Sequence, residues 1–536
     1  MKSQTGSNII RWLVIWEGIN PEVDVIDTNY LRQLTEAFKI TIDMGFYILI
    51  DFHGDLFASP KWVTDGMNIK PGKCWLPGWC TLTENLKKTA WASNYFLSKE
   101  VKTALRNFWN NKTINTKEGK KEIRNEYVWM MKRSLAYFRE NLNNKEFDSI
   151  IGVDPWNEPA EGGLKEYNPP LTPAAWHEEK LWPFYRQIRE EINKIGYREK
   201  PLFAEPSTFW NVDLPLIAAR GQGFLKNIPK EGYVFNAHSY DEIREGLPIV
   251  GRMLENGAYF GELDNFRQEG RYLNQPPFVS EFGAWGESRI YDANRIIKAT
   301  YQAMETTMPA NQKVHYVDFY APLVSGTQWV WGAGLNQNTG VYSGYLDPNV
   351  VERAYPRFAQ GDFISFYYND TAKATYNKVP LDWAAIRLMR NEYFSKNRFL
   401  WLVWRSNGTK APTEIFLPRG IRPENLLIIT DNHIIHGIGS LPKKPTGVAN
   451  EMFVMEDFFG PIKGGTRIFL YNDGDSIGSF HFSLMVDIEK SNLPSPAVLN
   501  DIKSRLYKKV YLKESPIYLL GRVRRDKIQK GNPYAK

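Results

Sequence analysis

The sequence predicts an α/β protein: a (β/α)8 TIM barrel followed by a C-terminal antiparallel β-sandwich. Three observations predict it. Over residues 1–355, short apolar runs alternate with helix-like stretches, the pattern of parallel strands joined by helical crossovers. Chemically capable side chains recur within or at the C-terminal ends of those runs: Arg11, His53 with Asp55, Asn157 with Glu158, Glu205, His238 with Tyr240, Glu281, and Trp329 with Trp331. A barrel brings such ends together on one face, whereas a doubly wound sheet gathers them at one switch point and strands the rest. Beyond Tyr355-Pro356-Arg357, closely spaced strand-like runs are divided by turns such as Asn472-Asp473-Gly474-Asp475.

In chain order, residues 9–16 read as a strand, and 28–44 as an amphipathic helix entered through Asp27 as N-cap. Residues 46–52 form the next strand, 120–142 a long helix and 149–155 a strand. A helix over 182–195 leads to a strand at 201–205, and 233–238, 278–281 and 324–331 complete the series. The sandwich strands are expected at 363–368, 399–404, 413–417, 426–429, 466–471 and 479–486, interrupted by helical periodicity over 381–393. The expected division is a catalytic barrel over 1–355, a sandwich over 356–500 and a basic tail over 501–536.

The net charge of +7 is unevenly spread. Residues 503–536 hold eleven Lys or Arg against Glu514 and Asp526, so the rest of the chain is close to neutral. The basicity therefore belongs to a tail, which suits a solvated end or contact with an anionic membrane surface. No nucleic-acid-binding motif accompanies it, and no Gly-rich loop suggests a nucleotide. Aromatic residues reach 14%, which either enlarges cores or supplies flat platforms for sugar rings. Cys74 and Cys80 could close a small loop, but two cysteines do not settle a disulfide. No metal or other cofactor is expected, and oligomeric state is not readable. No run approaches the roughly 20 apolar residues of a membrane helix, and no signal peptide is visible. Three glycosylation sequons begin at Asn111, Asn369 and Asn407.

Glu158 and Glu281 carry the chemistry. Retaining hydrolysis of a glycosidic bond needs two carboxyls about 5–5.5 Å apart, one as nucleophile and one as acid and then base. A lone glutamate at a strand end ordinarily just meets a lysine or arginine. Asn157-Glu158-Pro159 and Ser280-Glu281-Phe282-Gly283 on separate strands point instead to a pair. Asn157 is placed to bond the hydroxyl beside the cleaved linkage, and Arg11 to hold a carboxylate ionised. His53 and His238 are candidates to bind sugar hydroxyls or tune the carboxyls, Tyr240 to donate to the nucleophile, and Trp329 or Trp331 to stack under the sugar.

In order along the chain, Arg11, His53, Asn157-Glu158, His238, Tyr240, Glu281 and the late tryptophan resemble glycoside hydrolase family 5. The phrases Asp51-Phe52-His53-Gly54-Asp55, Trp156-Asn157-Glu158-Pro159 and Ser280-Glu281-Phe282-Gly283 are most similar to its endoglycoceramidase-related branch, as is Ala411-Pro412-Thr413-Glu414-Ile415-Phe416. The resemblance implies hydrolysis of the β-glycosidic bond between a glycan or glucose and ceramide, with Glu158 as acid/base, Glu281 as nucleophile and Asp55 joining His53 at the sugar. It also implies secretion or residence at a membrane surface. Two departures stand out: Gly54 replaces the branch's usual Gln, and the chain opens at what reads as the second barrel strand, leaving the first strand apparently missing. Trp79 is the candidate for the family's substrate aromatic, and Trp62, Met67, Trp75, Leu76 and Trp79 for an apolar lane. The alternatives are a soluble β-glucanase, a steryl β-glucosidase, or a catalytically silent glycolipid-binding protein.

Overall fold

The computed structural model describes residues 5–69, 95, 98–163, 173–208, 210, 231–240, 263, 266–267, 269–270, 273, 275–283, 293–305, 323–329, 347–369, 397–446, 451–459, 462–472 and 477–511. Within these, the expected alternation forms. Strand β1 (Ile9–Ile15) is followed by the helix Thr28–Asp43, with Asp27 accepting from the Asn29 and Tyr30 N–H groups as the expected cap. Leu31, Thr35 and Phe38 turn its apolar stripe inward, and β2 (Tyr47–His53) follows.

The helix expected over 120–142 starts later, because Gly119–Glu122 (β4) pairs with Thr113–Thr116 (β3) as a hairpin. The helix then runs Ile123–Asn141. Its first free N–H groups are met by Asn111, whose Oδ1 accepts from Arg124 at 3.0 Å and Asn125 at 3.3 Å. The amide of the first sequon therefore has a structural use.

The remaining barrel strands are β5 (Ile150–Asp154), β6 (Leu202–Ala204), β7 (Tyr233–Ser239), β8 (Pro277–Phe282) and β9 (Ser325–Gln328). With β1 and β2 they make a seven-stranded parallel sheet, ordered β1-β2-β5-β6-β7-β8-β9, whose outer strands approach each other to leave a nearly closed barrel. The ladder shifts register between Ala237 and His238, and again between Val279 and Phe282. Such irregularities re-aim side chains at strand ends, and these two fall at His238 and Glu281.

Much of the aromatic excess is core. Trp156, one residue before Asn157, packs against Phe57, Phe108, Trp109, Tyr127 and Phe184. The Tyr127 hydroxyl donates to the Pro155 carbonyl at 2.9 Å, and the Trp109 indole to the Ala160 carbonyl at 2.6 Å. This rigid wall fixes the backbone that presents Asn157 and Glu158. Met67 is buried in the same core and Trp62 packs on it, so these two members of the expected apolar lane serve packing.

Two antiparallel sheets follow. One comprises β10 (Tyr355–Phe358), β13 (Thr413–Leu417), β17 (Ile462–Leu470) and β16 (Met452–Phe459). The other comprises β11 (Asp362–Asn369), β12 (Phe399–Arg405), β18 (Phe480–Asp487), β14 (Leu426–Thr430) and β15 (Ile434–His436). Strands β10, β15 and β16 were not expected. Strand β12 is apolar along nearly its whole length because both faces are covered. Leu400, Leu402 and Trp404 face the other sheet, while Phe399, Trp401 and Val403 meet the helix Pro496–Tyr511 through Leu499, Ile502 and Leu506. Residues 501–511 of the stretch expected as a basic tail thus belong to a packed helix. The helical periodicity over 381–393 lies outside the described residues.

Candidate active site

The barrel strands bring ten of the expected residues, Arg11, His53, Asp55, Asn157, Glu158, Glu205, His238, Tyr240, Glu281 and Trp329, to one cluster built around Arg11 in β1. Its NH1 donates to Glu281 Oε2 at 3.0 Å and lies 3.0 Å from Asp51 Oδ2. Its Nε and NH2 reach Asp154 Oδ2 at 3.2 and 3.0 Å, and NH2 also donates to Asn157 Oδ1 at 2.7 Å and Glu205 Oε1 at 3.4 Å. Burial alone would lower the guanidinium pKa, but Asp51, Asp154, Glu281 and Glu205 outweigh it and hold Arg11 charged.

Asp51 and His53 lie two apart in β2 and so share a face. His53 Nδ1 sits 2.8 Å from Asp51 Oδ2, and Nε2 is 3.1 Å from Asp55 Oδ2. Burial opposes a charge on His53, yet Asp55 and Asp51 prevail and raise its pKa well above the ordinary value. The Trp329 ring, just beyond β9, stacks parallel on His53 with centroids 5.6 Å apart. Asp55 also accepts from Asn157 Nδ2 at 2.6 Å, so that amide is oriented from both ends.

Glu158 has a left-handed backbone, φ 49°, an uncommon state for a non-glycine residue that the surroundings must enforce. Its N–H donates to Glu205 Oε2 at 2.9 Å. Its carboxyl receives His238 Nδ1 at Oε1 (3.1 Å) and the Tyr95 hydroxyl at Oε2 (3.2 Å). The other side of His238 faces Glu205 Oε1 at 3.0 Å and Glu281 Oε2 at 4.0 Å. One imidazole therefore stands between the two expected catalytic glutamates. Burial disfavours its charge, but Glu205, Glu281 and the hydrogen bonds to Glu158 and Glu205 raise its pKa well above the ordinary value.

Glu281 is pinned by two donors, Arg11 on Oε2 and the Tyr240 hydroxyl on Oε1 at 2.8 Å. Burial raises its pKa, against the opposing pull of His238, Arg11 and His53. For Glu205, burial would also raise the value, but His238, Arg11 and the Glu158 N–H reverse it and leave the carboxyl below its ordinary range. Trp331 and Trp79 lie outside the described residues, as do Cys74 and Cys80. Among the described residues, no cluster of His, Cys, Asp or Glu could hold a metal ion.

Strand-end reading missed Asp51 and Asp154, gave Glu205 no role, and missed Tyr95 altogether. The first two had a signal, since a carboxylate inside an otherwise apolar strand, as in β2 and β5, needs a buried partner. Tyr95 had none; it belongs to no expected strand.

A nearly closed parallel barrel whose strand ends converge on paired glutamates defines a protein of the glycoside-hydrolase class. The chain belongs to glycosyl hydrolase family 5, whose Cellulase model matches residues 1–320. Two curated relatives are an endoglycoceramidase from Hydra vulgaris, 24% identical over 229 residues (38% of this chain, 39% of that protein), and one from Cyanea nozakii, 23% identical over 213 residues (37% and 39%). The chain thus matches about two fifths of the length of these relatives. The fold resembles endo-glycoceramidase II from Rhodococcus sp., in a structure described as a lactosyl-enzyme intermediate, with TM-score 0.58 and 16% identity over 91% of this chain and 90% of that one. It also resembles Cryptococcus neoformans sterylglucosidase 1, with TM-score 0.55 and 11% identity over 90% and 87%. At these identities the likeness carries the fold alone.

Proposed function

We propose that the protein is a retaining β-glycosidase that hydrolyses the bond between a glycan or glucose and ceramide. The observation that carries the mechanism is the unequal setting of the two glutamates on either side of His238. Glu281, held by Arg11 and Tyr240, is suited to remain ionised and attack the anomeric carbon. As that bond forms, the bond to the ceramide oxygen breaks and Glu158 gives the oxygen its proton. Water then attacks the glycosyl carbon, returns a proton to Glu158, and frees Glu281. Asn157, oriented by Arg11 and Asp55, would bond the hydroxyl next to the reacting carbon. Arg11, His53, Asp55, His238, Tyr240 and Trp329 would line the sugar site, with Trp329 as its platform; Trp331 and Trp79 are proposed alongside them from the sequence.

The glycolipid substrate is supported by the names of the two curated relatives. The structural likeness to a sterylglucosidase favours a second reading, a steryl β-glucosidase on the same scaffold. Residues 1–355 are proposed as the catalytic unit, 356–500 as an accessory sandwich covered by the helix Pro496–Tyr511, and the basic residues after that helix as suited to an anionic lipid surface.

The test is a panel of fluorescent glucosylceramide, a ganglioside, a steryl glucoside and a soluble β-glucan, with Glu281→Gln as control. Release of ceramide by wild type, abolished in the variant and giving product of retained anomeric configuration by proton NMR, is expected. Cleavage of the glucan or steryl glucoside without the ceramide substrates would sink the lipid assignment. Retention of glycolipid with no turnover of any substrate would make the chain a binding protein.

A further inference from the structure

The carboxyl proposed as acid/base is gripped by a residue outside the barrel strands. Tyr95 is 5% exposed, and its hydroxyl both accepts the Leu56 N–H at 3.3 Å and donates to Glu158 Oε2 at 3.2 Å. Leu56 follows Asp55, the residue that orients Asn157 and faces His53. Leu56 and Phe57 are consecutive left-handed non-glycine residues, φ 49° and 71°. A turn held in so unfavourable a backbone state needs outside support, and the Tyr95 hydroxyl provides it at Leu56. One phenol therefore ties the turn carrying Asp55 to the carboxyl of Glu158.

The other groups facing Glu158 act from different sides. His238 of β7 donates to Oε1, and Glu205, after β6, accepts the Glu158 N–H. Glu281 of β8 lies across His238, while Asp55 and His53 at the end of β2 and Arg11 of β1 act through Asn157. None of these binds Oε2. A donor to a carboxylate oxygen stabilises the ionised form and so makes the corresponding acid a stronger one.

We propose that Tyr95 is a positioning residue for the acid/base step: it fixes the Glu158 carboxyl and, by donating to Oε2, strengthens that group as an acid toward the leaving oxygen. The proposal rests on the reading of Glu158 as acid/base. Burial, with the charge of Glu158, pushes the Tyr95 phenol well above its ordinary value, so the hydroxyl stays a donor across the working pH range.

The experiment compares wild type, Tyr95→Phe, and protein carrying 3-fluorotyrosine at position 95, a more acidic and stronger donor of nearly the same shape. The pH profile of kcat/KM is measured on fluorescent glucosylceramide and on 2,4-dinitrophenyl β-glucoside, whose leaving group departs without a proton. The alkaline limb reports deprotonation of the acid in the free enzyme. Tyr95→Phe is expected to move that limb up by about 0.5–1 pH unit, and fluorotyrosine to move it down. Tyr95→Phe is also expected to lose about 10-fold on the ceramide substrate and under about 2-fold on the aryl glycoside. An alkaline limb unmoved in both proteins, or equal losses on both substrates, would overturn the proposal. Glu158→Gln separates the two ideas. If it loses glucosylceramide turnover but keeps the aryl glycoside, the acid/base reading stands and the Tyr95 profiles decide. If it keeps both, the ground for the proposal is gone.

Discussion

Glu205→Gln tests the charge arrangement of the site most directly. Glu205 is 2% exposed and meets His238 Nε2 at 3.0 Å, the Glu158 N–H at 2.9 Å and Arg11 NH2 at 3.4 Å. Glutamine keeps the shape but removes the charge, and its amide can present oxygen to His238 or to the Glu158 N–H, not to both. Breaking one side of a buried ion pair costs about 3–5 kcal/mol; the remaining hydrogen bond lowers the expected loss to about 2–4 kcal/mol. With a urea dependence of about 3 kcal/mol per molar, the unfolding midpoint should fall by roughly 1 M.

The pH dependence gives the sharper check. The Glu205 pKa is lowered in the fold, so its contribution is present above the ordinary value, about 4.3, and is lost as pH falls through the folded value. The His238 pKa is raised, so its contribution is full below about 6.5 and is lost as pH rises through the folded value. The advantage of wild type over the variant should therefore be greatest between about pH 4.3 and 6.5 and shrink on both sides. Urea midpoints followed by tryptophan fluorescence across that range measure it. An advantage that is flat with pH, or largest in alkali, would refute the assignment of His238 as a cation held by Glu205.

Three further outcomes are expected. Tyr240→Phe removes a donor from Glu281, so the carboxyl should ionise at higher pH and the acid limb of kcat/KM should move up by about 0.5–1 unit; an unmoved limb would show that the 2.8 Å contact does not tune it. Gly152→Ala should destabilise by about 1–3 kcal/mol in thermal unfolding, because a Cβ there would sit 2.5 Å from the Phe203 ring and 2.6 Å from the Pro201 carbonyl. Leu484→Ala should cost about 2–5 kcal/mol and increase hydrogen exchange in the helix Pro496–Tyr511, since Leu484 is fully buried in the cluster that helix covers.

The barrel was legible because its signals are local. Apolar runs of strand length, the Asp27 cap and the amphipathic stripe of the Thr28–Asp43 helix each need only neighbouring residues to interpret. Strands β10, β15 and β16 escaped because short or weakly alternating strands depend on partners elsewhere; β16, for one, is fixed by its pairing with β17. The start of the Ile123–Asn141 helix was misread for a related reason. Polar residues that suit a helix surface were drawn into a hairpin, and the free N–H groups were met by a side chain from outside the helix. In the site, strand-end residues were visible one by one, but the contacts of Glu205 and Tyr95 depend on distances across the barrel that spacing along the chain does not encode.

The charges of the site also could not be read strand by strand. Asp51, Asp55, Asp154, Glu158, Glu205 and Glu281 gather around Arg11, His53 and His238, so full ionisation would leave three unpaired negative charges in a largely buried space. Such a cluster lowers its energy by retaining protons on some carboxyls. Asp154 is one place for a proton: all its bonds fall on Oδ2, its Oδ1 is buried without a partner among the described residues, and burial with Glu205 raises its pKa well above the ordinary value. Arg11 touches four of the six acids and, unlike His53 and His238, is a permanent cation, so its removal would raise the proton affinity of Glu281, which its charge now lowers. The surplus of acids thus favours protons retained among them, and the charge of Arg11 opposes one on Glu281.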